Sequence, residues 1–173
     1  MDTLMKISKS DLGWVAAVLD LKGGVSRKAN KKRRTPQIVL HVDTTDRRIA
    51  VRLSRLTGTA PEEKEMRAPG PFLRRGCKEH CLEPHIHVED NHVWNTHDST
   101  RWSITGVAMA IVLSNLAPYM STYGEYEGFV EEIITQMKAE GQGSGMVRAA
   151  TLRLQELGWD IPKRISNRLR LAA

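Results

Sequence analysis

Cysteine is scarce in this chain of 173 residues, and the two that occur, Cys77 and Cys81, lie too close together to staple a fold efficiently. Both sit among histidines, which favours metal binding over a disulfide in a reducing compartment. Long apolar runs are missing as well. None approaches the ~18 residues that cross a membrane, and residues 1–10 are too polar for the apolar region of a signal peptide. A soluble, cytoplasmic protein with no membrane partner is the expectation. No P-loop, dinucleotide-binding glycine pattern or nucleophile elbow occurs, which removes several common enzyme frameworks. The glycine-rich run at 141–145 follows a helical pattern and lacks a phosphate-binding lysine, so it reads as a linker. Internal repeats are absent, and Tyr119, Tyr123 and Tyr126 are better explained as core or rim residues than as a stacking group.

What the chain does have is basic charge. The formal net charge is +6 and the pI about 9.5, a balance suited to a polyanionic partner because Lys and Arg contacts to phosphate release condensed counterions. Arg27, Lys28, Lys31, Lys32, Arg33 and Arg34 fall within eight positions, and Lys163, Arg164, Arg168 and Arg170 close the chain. A solvated loop and a frayed tail are the plain alternative. At 40% hydrophobic residues, the length fits one domain with its own core.

Residues 11–22 carry Leu12, Val15, Ala16 and Leu19 at helical spacing behind Ser10 and Asp11, until Gly23 and Gly24 end the pattern. A hairpin follows: residues 25–30, a basic turn ending in Pro36, and residues 37–43, where Ile38, Leu40 and Val42 alternate with Val39 and His41. Thr45 is placed to cap a second helix with Ile49, Leu53 and Leu56 on one face, an arginine-rich polar face, and Gly58 at its C-terminal end. Residues 59–100 hold most of the prolines and read as an irregular insertion with one short strand near 65–68. A strand at 101–105, with Trp102 and Ile104 on one face, leads into a helix at 106–116 that stops before Pro118. Phe129, Val130, Ile133, Ile134 and Met137 mark a further helix from about Gly124, and Val147, Ala150, Leu154 and Leu157 a last one, terminated by Gly158. The expected fold is α+β, in the order helix, hairpin, helix, strand, helix, with a curved antiparallel sheet and C-terminal helices. The expected organisation is a core over 1–138 containing the 59–100 insertion, a linker over 139–145, and a C-terminal helix with a basic tail over 146–173.

The run WVAAVLDLKGG at 14–24 resembles the LAGLIDADG motif, with Val15 at its first letter. Two later pieces, Arg101-Trp102-Ser103-Ile104-Thr105-Gly106 and Pro118-Tyr119-Met120, resemble the strand opening with a Trp and the Pro-Tyr helix end of single-motif LAGLIDADG homing endonucleases. The likeness spans about residues 10–134, and the chain resembles small, degenerate single-motif members of the kind found in actinobacterial phages. It implies a saddle of strands laid along DNA and a pairing of motif helices. Small side chains at Ala16 and Ala17 let a second helix approach near the lower end of the ~8–10 Å interaxial range. With one motif copy, that predicts a two-fold homodimer through helix 11–22, each subunit reading one half-site. The alternative is that Ala16 and Ala17 pack against this chain's own second helix.

In the family, the last acidic residue of the motif binds the divalent metal that activates water. That position here is Lys22, which neither ligates a hard cation nor tolerates its charge nearby. Asp20 matches the motif's first acidic residue, which in the family mainly supports the helix end, and Asp43 is a candidate substitute carboxylate. Lys22 is instead suited to hold a phosphate oxygen; a solvated lysine complementing the helix dipole is the plain alternative.

Both cysteines and five of the six histidines fall between Cys77 and His97. Cys77, Cys81, His85 and His87 offer two thiolates and two imidazoles, a donor set that suits tetrahedral zinc, with His80 as an alternate ligand. Such a structural zinc would order the insertion, since zinc binding supplies folding free energy on the order of 10 kcal/mol in small modules. A metal-free ordered loop is the competing reading, and a catalytic zinc, with Glu79 or Glu83 as acid or base, a third.

These observations point to a DNA-binding protein on a homing-endonuclease-like scaffold that has lost cleavage. Arg27, Lys28, Lys31, Lys32, Arg33 and Arg34 are expected on phosphates and in the groove, with Gln37, His41 and Asp43 as base-edge readers opposite the Ile38 stripe. Two alternatives stand beside it: an active endonuclease using Mg²⁺ on ligands from outside the motif position, and a phage protein-interaction or virion component that reuses the fold.

Overall fold

The computed structural model describes residues 7–29, 35–59, 62–64, 99–139 and 145–169. Within them the order is α1 (Lys9–Lys22), β1 (Gly23–Lys28), β2 (Gln37–Thr44), α2 (Arg47–Thr57), β3 (Glu62–Lys64), β4 (Ser99–Thr105), α3 (Gly106–Leu116), α4 (Tyr123–Ala139), α5 (Gly145–Glu156) and α6 (Lys163–Leu169). The class is α+β, and helix, hairpin, helix, strand and helix follow in the expected order. The strand expected at 65–68 lies outside the described residues; β3 ends just before it.

Local chemistry explains the element ends. Ser8, two residues before the expected cap, accepts a hydrogen bond from Asp11 N at 3.0 Å and donates its hydroxyl to the Asp11 carboxylate at 2.6 Å. This reciprocal pair satisfies an orphan amide of the first turn of α1. Asp46, one residue after the expected Thr45, caps α2 by accepting from Arg48 N at 3.0 Å. Gly58 terminates α2 in the left-handed region at φ 70°, a conformation costly for a residue with a Cβ.

The strands form one antiparallel sheet in the order β1-β2-β4-β3. Pairing sets Val25 opposite Leu40 and Arg27 opposite Ile38 on one side, and Leu40 opposite Ile104 and Val42 opposite Trp102 on the other. Side chains alternate across a strand, so Val25, Arg27, Ile38, Leu40, Val42, Trp102 and Ile104 share one face. α1, α2 and α3 cover that face: the buried Val15, Ala16 and Leu19 of α1, Ala50 and Leu53 of α2, and an almost wholly buried α3 form one core with its apolar residues. Trp102 anchors it. Its indole N–H donates to Thr57 Oγ1 at 3.0 Å, and Thr57 donates in turn to the Leu53 carbonyl at 2.8 Å, so the polar atoms of these two buried side chains are paired.

The C-terminal segment packs into the core built by the sheet and α3. Leu154, Trp159, Ile165 and Leu169 are buried in the same core as the sheet and α3. Trp159 Nε1 donates to the Leu56 carbonyl at 2.8 Å, and the Asn115 side chain both donates to Asp160 O and accepts from Asp160 N. The supposed basic tail also contains α6, whose Ile165 and Leu169 stand four apart on the buried side while Lys163 and Arg164 stay exposed.

Candidate nucleic-acid interface

The same alternation that builds the core sorts the polar side chains. On the face turned away from the helices lie Gly24, Ser26 and Lys28 of β1, Gln37, Val39, His41 and Asp43 of β2, and Arg101, Ser103 and Thr105 of β4. Gln37, His41 and Lys28 thus share this face, with Lys28 directly opposite Gln37. Lys31, Lys32, Arg33 and Arg34, assigned to the same surface, lie outside the described residues.

Arg27 leaves the set. Its register puts it on the helix side, where its guanidinium forms a two-toothed ion pair with Glu132 of α4, at 2.6 and 2.7 Å, and stands 5.4 Å from the centre of the Phe129 ring. The hydrogen bonds to Glu132 hold the guanidinium above its ordinary pKa. Arg27 is therefore a clasp between β1 and α4 rather than a neighbour of Lys28 on a binding surface.

Asp43 is engaged too. Both of its oxygens accept from the Arg101 fork, Nε and Nη2 each at 2.5 Å, directly across the β2–β4 ladder. Arg101 and Ser103 were not among the expected contact residues, although the inward Trp102 and Ile104 imply them by parity. His41 Nε2 lies 4.0 Å from the same carboxylate. The ring packs over Gly24, where a Cβ would come within 3.0 Å of Nε2, and its Nδ1 is buried without a hydrogen-bond partner. Val39, in the middle of this face, is only 2% exposed and stands outside the main core.

The C-terminal end of α1 meets the sheet at Gly23. Asp20 sits one turn before it and accepts four hydrogen bonds, from the backbone N–H and hydroxyl of both Ser121 and Thr122, at 2.5 to 3.2 Å. The Thr122 hydroxyl contributes most to holding this carboxyl down to about 2, with Ser121 adding to it. The side chain is a tie between α1 and the turn that starts α4. Lys22, the last residue of α1, is exposed, and its charge helps to hold down the Asp46 carboxyl, which chiefly bonds Arg48. These donors do not fit a divalent cation: Asp20, Asp43 and Asp46 are each occupied by hydrogen bonds or arginine, and an ammonium stands at the helix end. Among the described residues no cluster of three or more His, Cys, Asp or Glu gathers as a metal site. Cys77, His80, Cys81, His85 and His87 lie outside the described residues.

Ala16 and Ala17 of α1 part company. Ala16 is fully buried in the chain's own core, whereas Ala17 faces outward with Gly13 and Leu21, one helical turn apart on either side. A Cβ on Gly13 would meet nothing within 4 Å, and Leu21 is 83% exposed. Beside this strip the Arg52 guanidinium lies 4.1 Å over the Trp14 ring and bonds Asp11 at 2.9 Å, fixing the flank of α1 to α2. No helix among the described residues is long and apolar enough to cross a membrane. The chain matches no protein-family model and no curated protein.

Proposed function

We propose that this chain is a duplex-DNA-binding protein on a degenerate LAGLIDADG-like scaffold, gripping DNA with the polar face of its sheet and unable to cut it. The observation that carries the reading is the partition of the sheet. One face is sealed by helices, and the other carries Lys28, Gln37, His41, Arg101 and Ser103 next to a helix end that bears Lys22. A two-stranded ribbon or small sheet with such a face fits the major groove, long polar side chains reaching base edges and lysines reaching phosphates. Lys31, Lys32, Arg33 and Arg34 belong to the same reading by their place in the sequence between β1 and β2.

Loss of cleavage follows from charge. The family's metal-binding position is Lys22, and the nearest carboxylates already have partners, so water activation has no seat. Pairing of two copies through the Gly13, Ala17 and Leu21 strip of α1 completes the reading, because an exposed leucine beside small residues is what a close helix contact requires. A structural zinc on Cys77, Cys81, His85 and His87 is part of it on sequence grounds alone.

Binding of a labelled random-sequence duplex, measured from about 50 to 200 mM salt, tests the central point. Affinity should fall steeply, by roughly 0.9 log unit per log unit of salt for each phosphate contact. Undetectable or salt-independent binding at the low end would replace this reading with that of an interaction component. Plasmid nicking in Mg²⁺ or Mn²⁺ should be absent; nicking would restore the endonuclease alternative.

A further inference from the structure

We propose that the arginine stripe of α2 is a second, sequence-independent site for the phosphate backbone of duplex DNA, so that one chain bridges two duplex segments. The bridge rests on the reading above, that the polar face of the sheet holds the first segment; the second site stands on its own residues. α2 carries no acidic residue, and Arg47, Arg48, Val51, Arg52 and Arg55 border one open groove on its exposed side. Arg48, Arg52 and Arg55 stand four and then three positions apart, so they form a single stripe along about 10 Å of helix. Duplex DNA carries one charge per ~1.7 Å of its axis, and a stripe of that length faces several phosphates at once.

The present contacts of these arginines do not have to break. A guanidinium has five N–H donors. Asp46 takes two from Arg48, at 3.0 and 2.9 Å, and Asp11 takes one from Arg52 at 2.9 Å. Both carboxylates lie at the edge of the stripe, one at the helix N-cap and one on α1, while the Arg48 side chain is 90% exposed and Arg55 is exposed beside it. The groove also suits a polyanion better than a protein partner. Protein interfaces are anchored by buried aromatic or large apolar side chains, and charge is depleted at their centres. Here the centre is a lone Val51 ringed by guanidinium groups, and the Trp14 ring at its edge is covered by Arg52. One straight duplex cannot serve both surfaces. α2 packs through Ala50 and Leu53 onto the apolar face of the sheet, so its exposed stripe points away from the polar face, with a helix about 10 Å thick and the sheet itself between them.

The experiment is a sandwich capture from about 50 mM salt upward. A duplex fixed to beads receives the full chain, the excess is washed away, and a labelled duplex of unrelated sequence is added. Wild type should retain the labelled duplex. Arg48→Gln combined with Arg55→Gln should retain several-fold less, and the log–log salt slope of this second capture should fall by about 2, while the chain still loads onto the first duplex as wild type does. Undiminished retention by that variant overturns the inference; if the variant also changes the sedimentation of the free chain, the stripe meets a second copy instead. A wild-type chain that loads onto the first duplex and retains none of the second overturns it as well. If the double variant loses its helical circular dichroism, Arg55→Glu, a change at one exposed side chain, decides the matter, and retention equal to wild type sinks the bridge. If the α2 variant abolishes all duplex binding while Lys28→Gln leaves it unchanged, the stripe is where this chain holds DNA, the reading of the polar face has failed, and the bridge goes with it. If wild type binds no duplex at about 50 mM salt, both surfaces have been misread.

Discussion

Replacing Asp20 by alanine should destabilise the fold without touching the proposed binding face. The carboxylate accepts from two backbone amides and two hydroxyls at the turn preceding α4, acting as a cap supplied by a distant helix. A carboxyl held at about 2 against an ordinary 3.8 corresponds to at most about 2.5 kcal/mol. Partial solvent exposure reduces this to about 1 kcal/mol, which for a chain of this size lowers Tm by about 2–4 °C. Urea unfolding at pH 7 should show the loss for Asp20→Ala and Asp20→Asn. Acid supplies the sharper test. Because the folded pKa lies below the unfolded one, the contribution is complete above about pH 4 and fades as pH falls toward 2. The gap between wild type and Asp20→Asn should therefore close over that window. Equal stability at pH 7, or a gap undiminished near pH 2, would refute the assignment of Asp20 to a tie between α1 and α4.

Arg27 and Lys28 are neighbours of like charge with opposite assignments. Arg27→Ala should leave the salt slope of DNA binding unchanged and lower thermal stability slightly, whereas Lys28→Ala should reduce the slope by about 1 and leave the melt unchanged. Gly23→Ala puts a Cβ 2.5 Å from the Leu19 carbonyl oxygen, a clash with backbone, and should cost about 1–3 kcal/mol in denaturant titrations. Gly24→Ala meets only the His41 ring at 3.0 Å, a side chain that can turn, and should cost less. Metal analysis of protein purified without chelator should find about one zinc per chain, and Cys77→Ser combined with Cys81→Ser should abolish it.

Periodicity made much of this fold legible. The α3 boundaries, the Gly58 terminus and the inward stripe of Ile38, Leu40 and Val42 follow directly from apolar spacing. Caps were less legible, since Ser8 competes with Ser10, and Asp46 with Thr45, for neighbouring positions of equal propensity, and only the backbone path chooses. Arg27 was misplaced because its charge outweighed its parity: Val25, the apolar residue of β1, faces the core, so the residue two further on must face the same way. Ala16 and Ala17 read alike as small residues, yet adjacent helix positions differ by about 100° and face different neighbours. α6 was hidden because its basic residues made it read as a tail, while two apolar residues four apart carry its packing.

Everything assigned to the polar face depends on one hairpin register, and a slip of one residue would exchange Gln37, His41 and Asp43 for Ile38, Leu40 and Val42. Several independent contacts oppose that slip. Gly24 leaves room for the His41 ring on one face, Arg27 is clasped by Glu132 on the other, Asp43 is paired with Arg101, and Trp102 is anchored by Thr57. The first three contacts tie the hairpin strands to each other, to α4 and to β4, and the fourth fixes β4 itself, so shifting the hairpin breaks the first three and exposes the apolar stripe at once. The register is therefore held by contacts on both faces of the sheet, Arg27 with Glu132 on the helix side and His41 over Gly24 and Asp43 with Arg101 on the polar side. Comparing Arg27 with Lys28 tests the assignment of the two faces rather than the stability of the hairpin, because the remaining contacts hold the strand in place when either side chain is removed.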